Sequence, residues 1–522
     1  MIVRSPRPSV AIPDVPLTTY VLERGRAAPG RTALVDGLTG RRLSYGELAS
    51  AIGRAAAGLA ARGYGRGDVL AIYSPNALEF PIAFHAAAVL GAATTTLNPL
   101  FTAGEIAPQL ADSGAKCLFT VAAFLDKARE AAASAGVREI VVFGEAPGAV
   151  PFAELLAAKG EAPAVAVRPE DVVALPYSSG TTGLPKGVML THRNLVANLA
   201  QGEGALPMGA DDVVVAVLPF FHIYGLQVIL NGGLRSGVTL VVLPRFDLET
   251  FLRVLQDHRV NIAFVVPPMV LALAKSPAVA TYDLSGLRHL FSGAAPLGQE
   301  LARAVSQRLG CEMAQGYGLT ETSPVTHTNC GRDTAGKPGS VGALVADTEA
   351  RIVDPESGRD LGPGEPGEIW MRGPQVMKGY LNRPEATAAM IDGEGWLHSG
   401  DIGYADADGD FYVVDRLKEL IKYKGCQVAP AELEALLLTH PAVADAAVIP
   451  SPDQDAGEVP KAFVVLRGAV SPEELMAFVA ERVAPSKRVR RMEIIDQIPK
   501  SPSGKILRRL LVERERGRGA GA

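Results

Sequence analysis

Residues 177–187 read YSSGTTGLPKG, and the residue types in this run suit the holding of a polyphosphate. Gly180, Gly183 and Gly187 let a backbone approach phosphate oxygens closely, Ser178, Ser179, Thr181 and Thr182 offer hydroxyl donors, and Lys186 adds a positive charge. The apolar run 172–177 before it and residues 187–190 after it predict two strands, so the motif is a loop joining them. It is not a Walker A loop, because no glycine directly precedes Lys186 and no serine or threonine follows it. The chemistry indicated is that of ATP.

Further polar groups follow in order. Gln315-Gly316-Tyr317-Gly318-Leu319-Thr320-Glu321 carries half of a dinucleotide-binding fingerprint, but Glu321 takes the place of its last glycine. By itself a Gly-Tyr-Gly reads equally well as a tight turn. Asp401, after Ser399 and Gly400, reads by itself as an acid on a turn. Residues 415–430, DRLKELIKYKGCQVAP, and 498–509, IPKSPSGKILRR, supply Arg416, Lys418, Lys422, Lys424, Gln427 and Lys505. Any one of these runs alone is a solvated loop or a turn.

Together the motifs resemble those of the adenylate-forming enzymes, the superfamily of acyl-CoA synthetases, luciferases and peptide-synthetase adenylation domains, and most of all the acyl-CoA ligases of the 4-coumarate:CoA ligase type. The resemblance implies an α/β fold with a large multi-sheet N-terminal body, residues 1–415, and a small mobile α+β C-terminal domain, residues 416–522. It implies that Ser178, Ser179, Gly180, Thr181, Thr182, Gly183 and Lys186 hold the phosphates of ATP. Gln315, Gly316, Tyr317 and Thr320 would bind ATP or AMP, with Tyr317 stacked on adenine and Thr320 bonding the α-phosphate, and Glu321 would bind Mg²⁺. Asp401 and Arg416 would take the ribose, and Lys418 would be the hinge of the small domain. Lys505, Lys422, Gln427 and His222 would serve the adenylate chemistry. Arg245, Lys424 and Gly425 would contact coenzyme A. Cys426 replaces the aromatic residue usual before the glutamine, and a thiol there reads as packing.

Such an enzyme first joins a carboxylate to the α-phosphorus of ATP, releasing pyrophosphate, and then passes the acyl group to the thiol of CoA, releasing AMP. By the same resemblance, Tyr224, Val228, Phe291, Gly293, Ala294, Pro324 and Val325 form the acid pocket. Gly293 and Ala294 leave room for a flat ring, and His222 with Tyr224 gives an aromatic wall. Relatives can carry a lysine at the place of Phe291 and a serine at that of Val228; both are apolar here. Cinnamate-like and 4-coumarate-like aryl acids and medium-chain fatty acids therefore all remain open. So do a luciferase-like oxygenase, although the chain ends Gly-Ala-Gly-Ala and not Ser-Lys-Leu, and a stand-alone adenylation enzyme.

The elements that must position these residues are those of an ordinary globular protein. The chain has 522 residues, ample for more than one domain, and its 48% hydrophobic and 20% charged residues leave only the ends expected to be disordered. A formal charge of −5 offers no footprint for nucleic acid. Four scattered cysteines, with no CxxC pair, argue against a disulfide framework or a zinc site and for the cytoplasm. The apolar stretches 86–93 and 262–274 are too short to span a bilayer. Small molecules are the expected partners of a monomer or homodimer.

Strand and helix patterns alternate through residues 1–168, with a helix at 48–61 and strands at 69–73 and 141–143. They continue with strands at 213–218, 239–243 and 262–266 and a helix at 297–309. Beyond 415 two helices are predicted, at 430–438 and after Ser471, whose Pro472 and Glu474 complete a capping box. The Arg/Gly-rich tail from Arg514 is expected to be disordered.

Overall fold

The computed structural model describes residues 1–178, 185–206, 208–330, 337, 339–424, 426–453, 455–501 and 504–519. Among them, two nine-stranded sheets and a five-stranded sheet build the first four-fifths of the chain. In the first sheet the buried strand Val69–Tyr73 runs parallel to Ala93–Leu97 and Ala115–Val121, and Ala115–Val121 parallel to Glu139–Phe143. At one edge the chain turns antiparallel, with Lys186–Thr191 between Val172–Ala174 and Tyr177–Ser178. The second sheet centres on the parallel strands Val213–Ala216, Ile262–Val265 and His289–Ser292 and continues through Glu312–Gly318 to the antiparallel Val325–Thr328. The third is antiparallel throughout and includes Gly367–Arg372, Leu397–Ala405 and Phe411–Arg416.

The helices show why these sheets hold together. Helix Glu79–Val89 is apolar all round, and Phe80, Phe84, Ala86, Ala87 and Ala88 are all buried, as expected of a helix enclosed on every side. Helix Tyr45–Ala61 opens with a capping box between Ser44 and Glu47 and buries Leu48, Ala51, Ile52, Ala55 and Leu59 at helical spacing. Its start lies three residues before the sequence expectation.

From Ile421 a separate core begins, made of Ile421, Val428, Leu433, Leu437, Val448, Val464, Leu475 and Val479. It lies between helices Pro430–Thr439 and Pro472–Ala480 and a sheet in which Val443–Asp453 pairs antiparallel with Gly457–Leu466. The expected capping box is present, Ser471 accepting from Glu474 N. One expectation fails. The tail is not disordered from Arg514, because helix Arg508–Gly519 runs through it. Arg514 pairs with Glu493 at 2.7 Å, Glu515 accepts from Ser451 at 2.8 Å and pairs with Lys461, and Leu511 is buried, so ion pairs and one apolar anchor outweigh an Arg/Gly-rich composition.

Buried histidines make this body sensitive to acid. His85 bonds Thr18 Oγ1 through Nδ1 at 3.0 Å, and His192 Nδ1 accepts the Leu17 N–H at 3.0 Å; both rings are fully buried. Burial lowers each to about 4, below the ordinary 6.5. The unfolded chain therefore binds more protons between pH 6.5 and 4, and stability falls as pH drops through that window, by roughly 3 kcal/mol for each ring. Urea midpoints measured from pH 7.5 to 4 should decline mainly below 6.5; a flat profile would contradict neutral burial.

Candidate active site

The three sheets meet where the sequence motifs fall. Tyr177–Ser178 pairs with Lys186–Gly187, so the two ends of the Ser/Gly-rich loop are held as a hairpin. Ser179, Gly180, Thr181, Thr182 and Gly183 lie outside the described residues. Gly187 has room for no side chain without crowding the Tyr177 ring, 3.1 Å from where a Cβ would stand.

Gln315, Gly316, Tyr317 and Gly318 end the strand Glu312–Gly318, with a bulge between Tyr317 and Gly318; the segment is a strand end and not a tight turn. A Cβ on Gly318 would lie 1.8 Å from the Pro324 carbonyl oxygen, which explains the glycine. Asn329, just past the neighbouring strand Val325–Thr328, fixes Gln315, accepting its N–H at 2.7 Å. Thr320 and Glu321 follow in one 3₁₀ turn.

Side-chain hydrogen bonds join the sheets here. Ser178 Oγ, from the first sheet, donates to Glu321 Oε1 at 2.7 Å. Tyr317 OH, from the second, donates to Asp401 Oδ2 at 2.7 Å in the third. Asp401 and Arg416 are direct cross-strand partners, and Arg416 Nε lies 3.4 Å from Asp401 Oδ1. Burial raises the Asp401 carboxyl above its usual range, and the guanidinium of Arg416 opposes that shift. Tyr317 is thus oriented through its hydroxyl by a carboxylate whose other oxygen faces a cation.

Lys505 enters this group from the small part of the chain. Its charge acts on Arg416, Asp401, Glu321 and Glu419, and burial, with Arg416 adding to it, holds its ammonium below the ordinary lysine range. The loop that carries it is wedged in place: a Cβ on Gly504 would stand 3.0 Å from Val266 Cγ2 and 3.3 Å from Pro268. His222 also feels Lys505. Its Nδ1 accepts the Tyr224 N–H at 3.2 Å, leaving the proton on Nε2, and burial keeps the ring neutral by lowering it to about 3.

Tyr380 is a site residue the sequence did not single out. It is 3% exposed, its hydroxyl donates to Glu321 Oε1 at 2.8 Å, and Lys186 Nζ sits 4.9 Å from its ring centre. Its short strand, Gly379–Tyr380, pairs with Lys186–Thr191. A lone tyrosine has no spacing signal; only the pairing reveals it.

Beside this group lie the residues expected to bind the acid. Tyr224 opens a π-helix, Tyr224–Asn231, that also carries Val228, and its hydroxyl donates to the Phe291 carbonyl at 3.2 Å. Phe291 is 4% exposed and stacked on Phe264 with ring centres 5.0 Å apart. Gly293 is small because a Cβ would lie 3.2 Å from the Tyr224 ring, and Ala294 takes a positive φ of 70°. Pro324 and Val325 follow Ser323, and Asn198 fixes Val325, donating to its carbonyl at 2.8 Å. A cavity of about 30 Å³ lies behind Val228 and Val325.

Other expected residues stand elsewhere. Lys422, Lys424 and Gln427 are exposed on the hairpin Ile421–Tyr423 and Cys426–Val428, whose backbone bonds run to Glu458 and Ala456 of the small part. Arg245 is exposed beside Phe246. Gly425 lies outside the described residues, and Leu417 N, next to Lys418, donates to the Gly400 carbonyl at 2.9 Å. Cys117, Cys311 and Cys330 are buried and form no disulfide among the described residues. No helix among the described residues is long and apolar enough to cross a membrane.

Three sheets joined beside the paired segments Tyr177–Ser178 and Lys186–Gly187, with a lysine supplied by a small second unit, suit an enzyme that activates a carboxylate with a nucleotide. The chain belongs to the AMP-binding enzyme family, whose pattern matches residues 21–381, and the family's C-terminal domain matches 432–505. It is 49% identical over 519 residues to 4-coumarate–CoA ligase 5 of Oryza sativa subsp. japonica, covering 97% of this chain and 96% of that one. It is 46% identical over 521 residues to 4-coumarate–CoA ligase 1 of Petroselinum crispum, covering 98% and 96%. Among solved structures, the anthranilate CoA ligase AuaEII with anthranoyl-AMP superposes with a TM-score of 0.91 at 27% identity, over 97% of this chain and 98% of that one.

Proposed function

We propose that the protein is an AMP-forming acid–thiol ligase, joining a cinnamate-like aryl acid to coenzyme A through an acyl-adenylate. The observation that carries this reading is the meeting of Ser178, Tyr317, Glu321, Asp401 and Arg416 through hydrogen bonds and an ion pair, within range of the Lys505 charge. The relatives named above, matched over nearly the whole chain, support the choice of acid and acceptor. We assign residues 1–415 to ATP and acid binding and residues 416–522 to a lid that turns at Lys418.

A carboxylate attacking the α-phosphorus is ionised already, so no general base is needed. The difficulty is charge. Lys505 stands where its ammonium offsets the negative charge of carboxylate and α-phosphate, and Lys186 and the loop hydroxyls would hold the leaving pyrophosphate. Asp401 and Arg416 would seat the ribose, and Tyr317, fixed by its bond to Asp401, would lie on adenine. His222, neutral with its proton on Nε2, donates without adding charge. Glu321 fits Mg²⁺: a buried carboxylate touched by two hydroxyls leaves acceptor capacity for a hard cation shared with phosphate oxygens. That ion would supply further neutralisation of phosphate charge. The arriving CoA thiol needs Lys505 out of the way, which motivates the turning lid. Arg245, Lys424 and Gly425 are then the residues for CoA. Buried cysteines outside disulfides suit the cytoplasm.

The apolar pocket predicts the substrate preference. Seating a para-hydroxyl against Phe291 and Val228 leaves it unpaired at about 1–3 kcal/mol. Cinnamate should therefore be used at least as efficiently as 4-coumarate by kcat/KM, and medium-chain fatty acids should be accepted less well. A strong preference for the hydroxylated acid, measured by CoA consumption across the panel, would overturn the pocket assignment. Failure of every acid would overturn the ligase reading itself.

A further inference from the structure

Helix Pro430–Thr439 of the small part is held at both ends by charged side chains of the large part. At its start the Asp415 carboxylate accepts the Ala431 N–H at 2.9 Å. At its end the Lys275 ammonium donates to the Leu438 carbonyl at 2.9 Å. Between them, a Cβ on Gly298 would stand 3.4 Å from Ala435 Cβ, so the body of the helix rests on the large part as well. Asp415 belongs to the strand Phe411–Arg416, Lys275 ends helix Pro267–Lys275, and Gly298 caps helix Gln299–Leu309. An anion at the helix start and a cation at its end are the charges that the helix dipole favours.

The same orientation delivers the lysine. Helix Pro267–Lys275 meets the Lys505 loop at its first turn, where Pro268 contacts Gly504, and meets helix Pro430–Thr439 at its last residue. One rigid helix of the large part therefore gauges both the lysine loop and the lid helix. Asp415 lies three residues before Lys418, close to the proposed pivot, whereas Lys275 lies on a distant element, and its bond must break when the lid turns.

We propose that Lys275 and Asp415 form a two-ended clamp on helix Pro430–Thr439 that selects the orientation in which Lys505 reaches the site. Both are positioning residues, and neither touches the reacting atoms. The clamp rests on the reading above that the lid adopts one orientation for adenylation and another for thioester formation. It assigns to the large part a share in timing the switch, with the Lys275 end released first.

The test compares Lys275→Met and Lys275→Arg in the full chain. Acid-dependent exchange of pyrophosphate into ATP should fall about three- to tenfold in Lys275→Met, while thioester formation from supplied cinnamoyl-adenylate and CoA is undiminished. Lys275→Arg should restore exchange. Unchanged exchange, or equal loss of both half-reactions in a folded variant, would overturn the clamp. A second variant guards against misfolding: Gly298→Cys with Ala435→Cys places two Cβ atoms near the spacing a disulfide requires. Oxidised, it should keep exchange, lose thioester formation, and recover on reduction. A cross-link that stops both half-reactions would overturn the assignment of this orientation to adenylation. Full thioester formation while cross-linked would instead refute the two-orientation reading, and the clamp with it.

Discussion

Replacing Lys505 with alanine is expected to lower acid-dependent pyrophosphate release by about 10²–10³ or more, the range typical when a preorganised electrostatic partner of the transition state is removed. The charge of Lys505 acts on Asp401, Arg416 and Glu321, so on the proposed reading its loss strips a positive charge from the place where carboxylate and α-phosphate would approach each other. The same variant, given preformed acyl-adenylate and CoA, should still make thioester, because on the proposed reading that step proceeds with the lid turned away. Lys424→Ala should show the opposite bias, sparing adenylation and weakening the use of CoA; Lys424 is exposed in the orientation seen here, with a positive φ of 46° on its hairpin. If the folded Lys505 variant fails equally with supplied adenylate, the division of labour between the two orientations is wrong.

Lys418→Pro should do the reverse of Lys505→Ala. The segment around it is a compact turn, Glu419 N and Leu420 N both donating to the Arg416 carbonyl and Leu417 N to the Gly400 carbonyl. Proline fixes φ near −65°, so the rotation proposed at this residue is blocked, with an expected loss in rate on the order of 10². Pyrophosphate release should persist while thioester formation falls by about that factor. Equal loss of both would show damage to the fold, and no change in either would move the pivot elsewhere.

Much of the site was legible because its chemistry is written in glycines and charges at fixed intervals. The loop around Lys186, the Gly316-Tyr317-Gly318 run and the Lys505 segment all fall at one place. The physical reason for Gly318, a carbonyl 1.8 Å from its missing Cβ, lies in the fold and not in the sequence. What the residues concealed is register. Asp401 and Arg416 are cross-strand partners 15 residues apart in sequence, and nothing in either run announces the pairing. Tyr380 reaches Glu321 only because its two-residue strand adds to the edge beside Lys186. Composition misled at the C-terminus, where Glu493, Lys461 and Ser451 order a helix that Arg and Gly content disfavours. The π-helix Tyr224–Asn231 carries no periodic signal distinct from an ordinary buried helix.

The central claim is that one active site makes a thioester at the expense of ATP with AMP as the nucleotide product. Incubation of the protein with ATP, cinnamate and CoA, followed by mass spectrometry of the nucleotides and thioesters, tests it directly. The account predicts cinnamoyl-CoA and AMP in equal amounts, with neither formed when the acid is left out. ADP in place of AMP, or cinnamoyl-adenylate accumulating while CoA stays unconsumed, would contradict it.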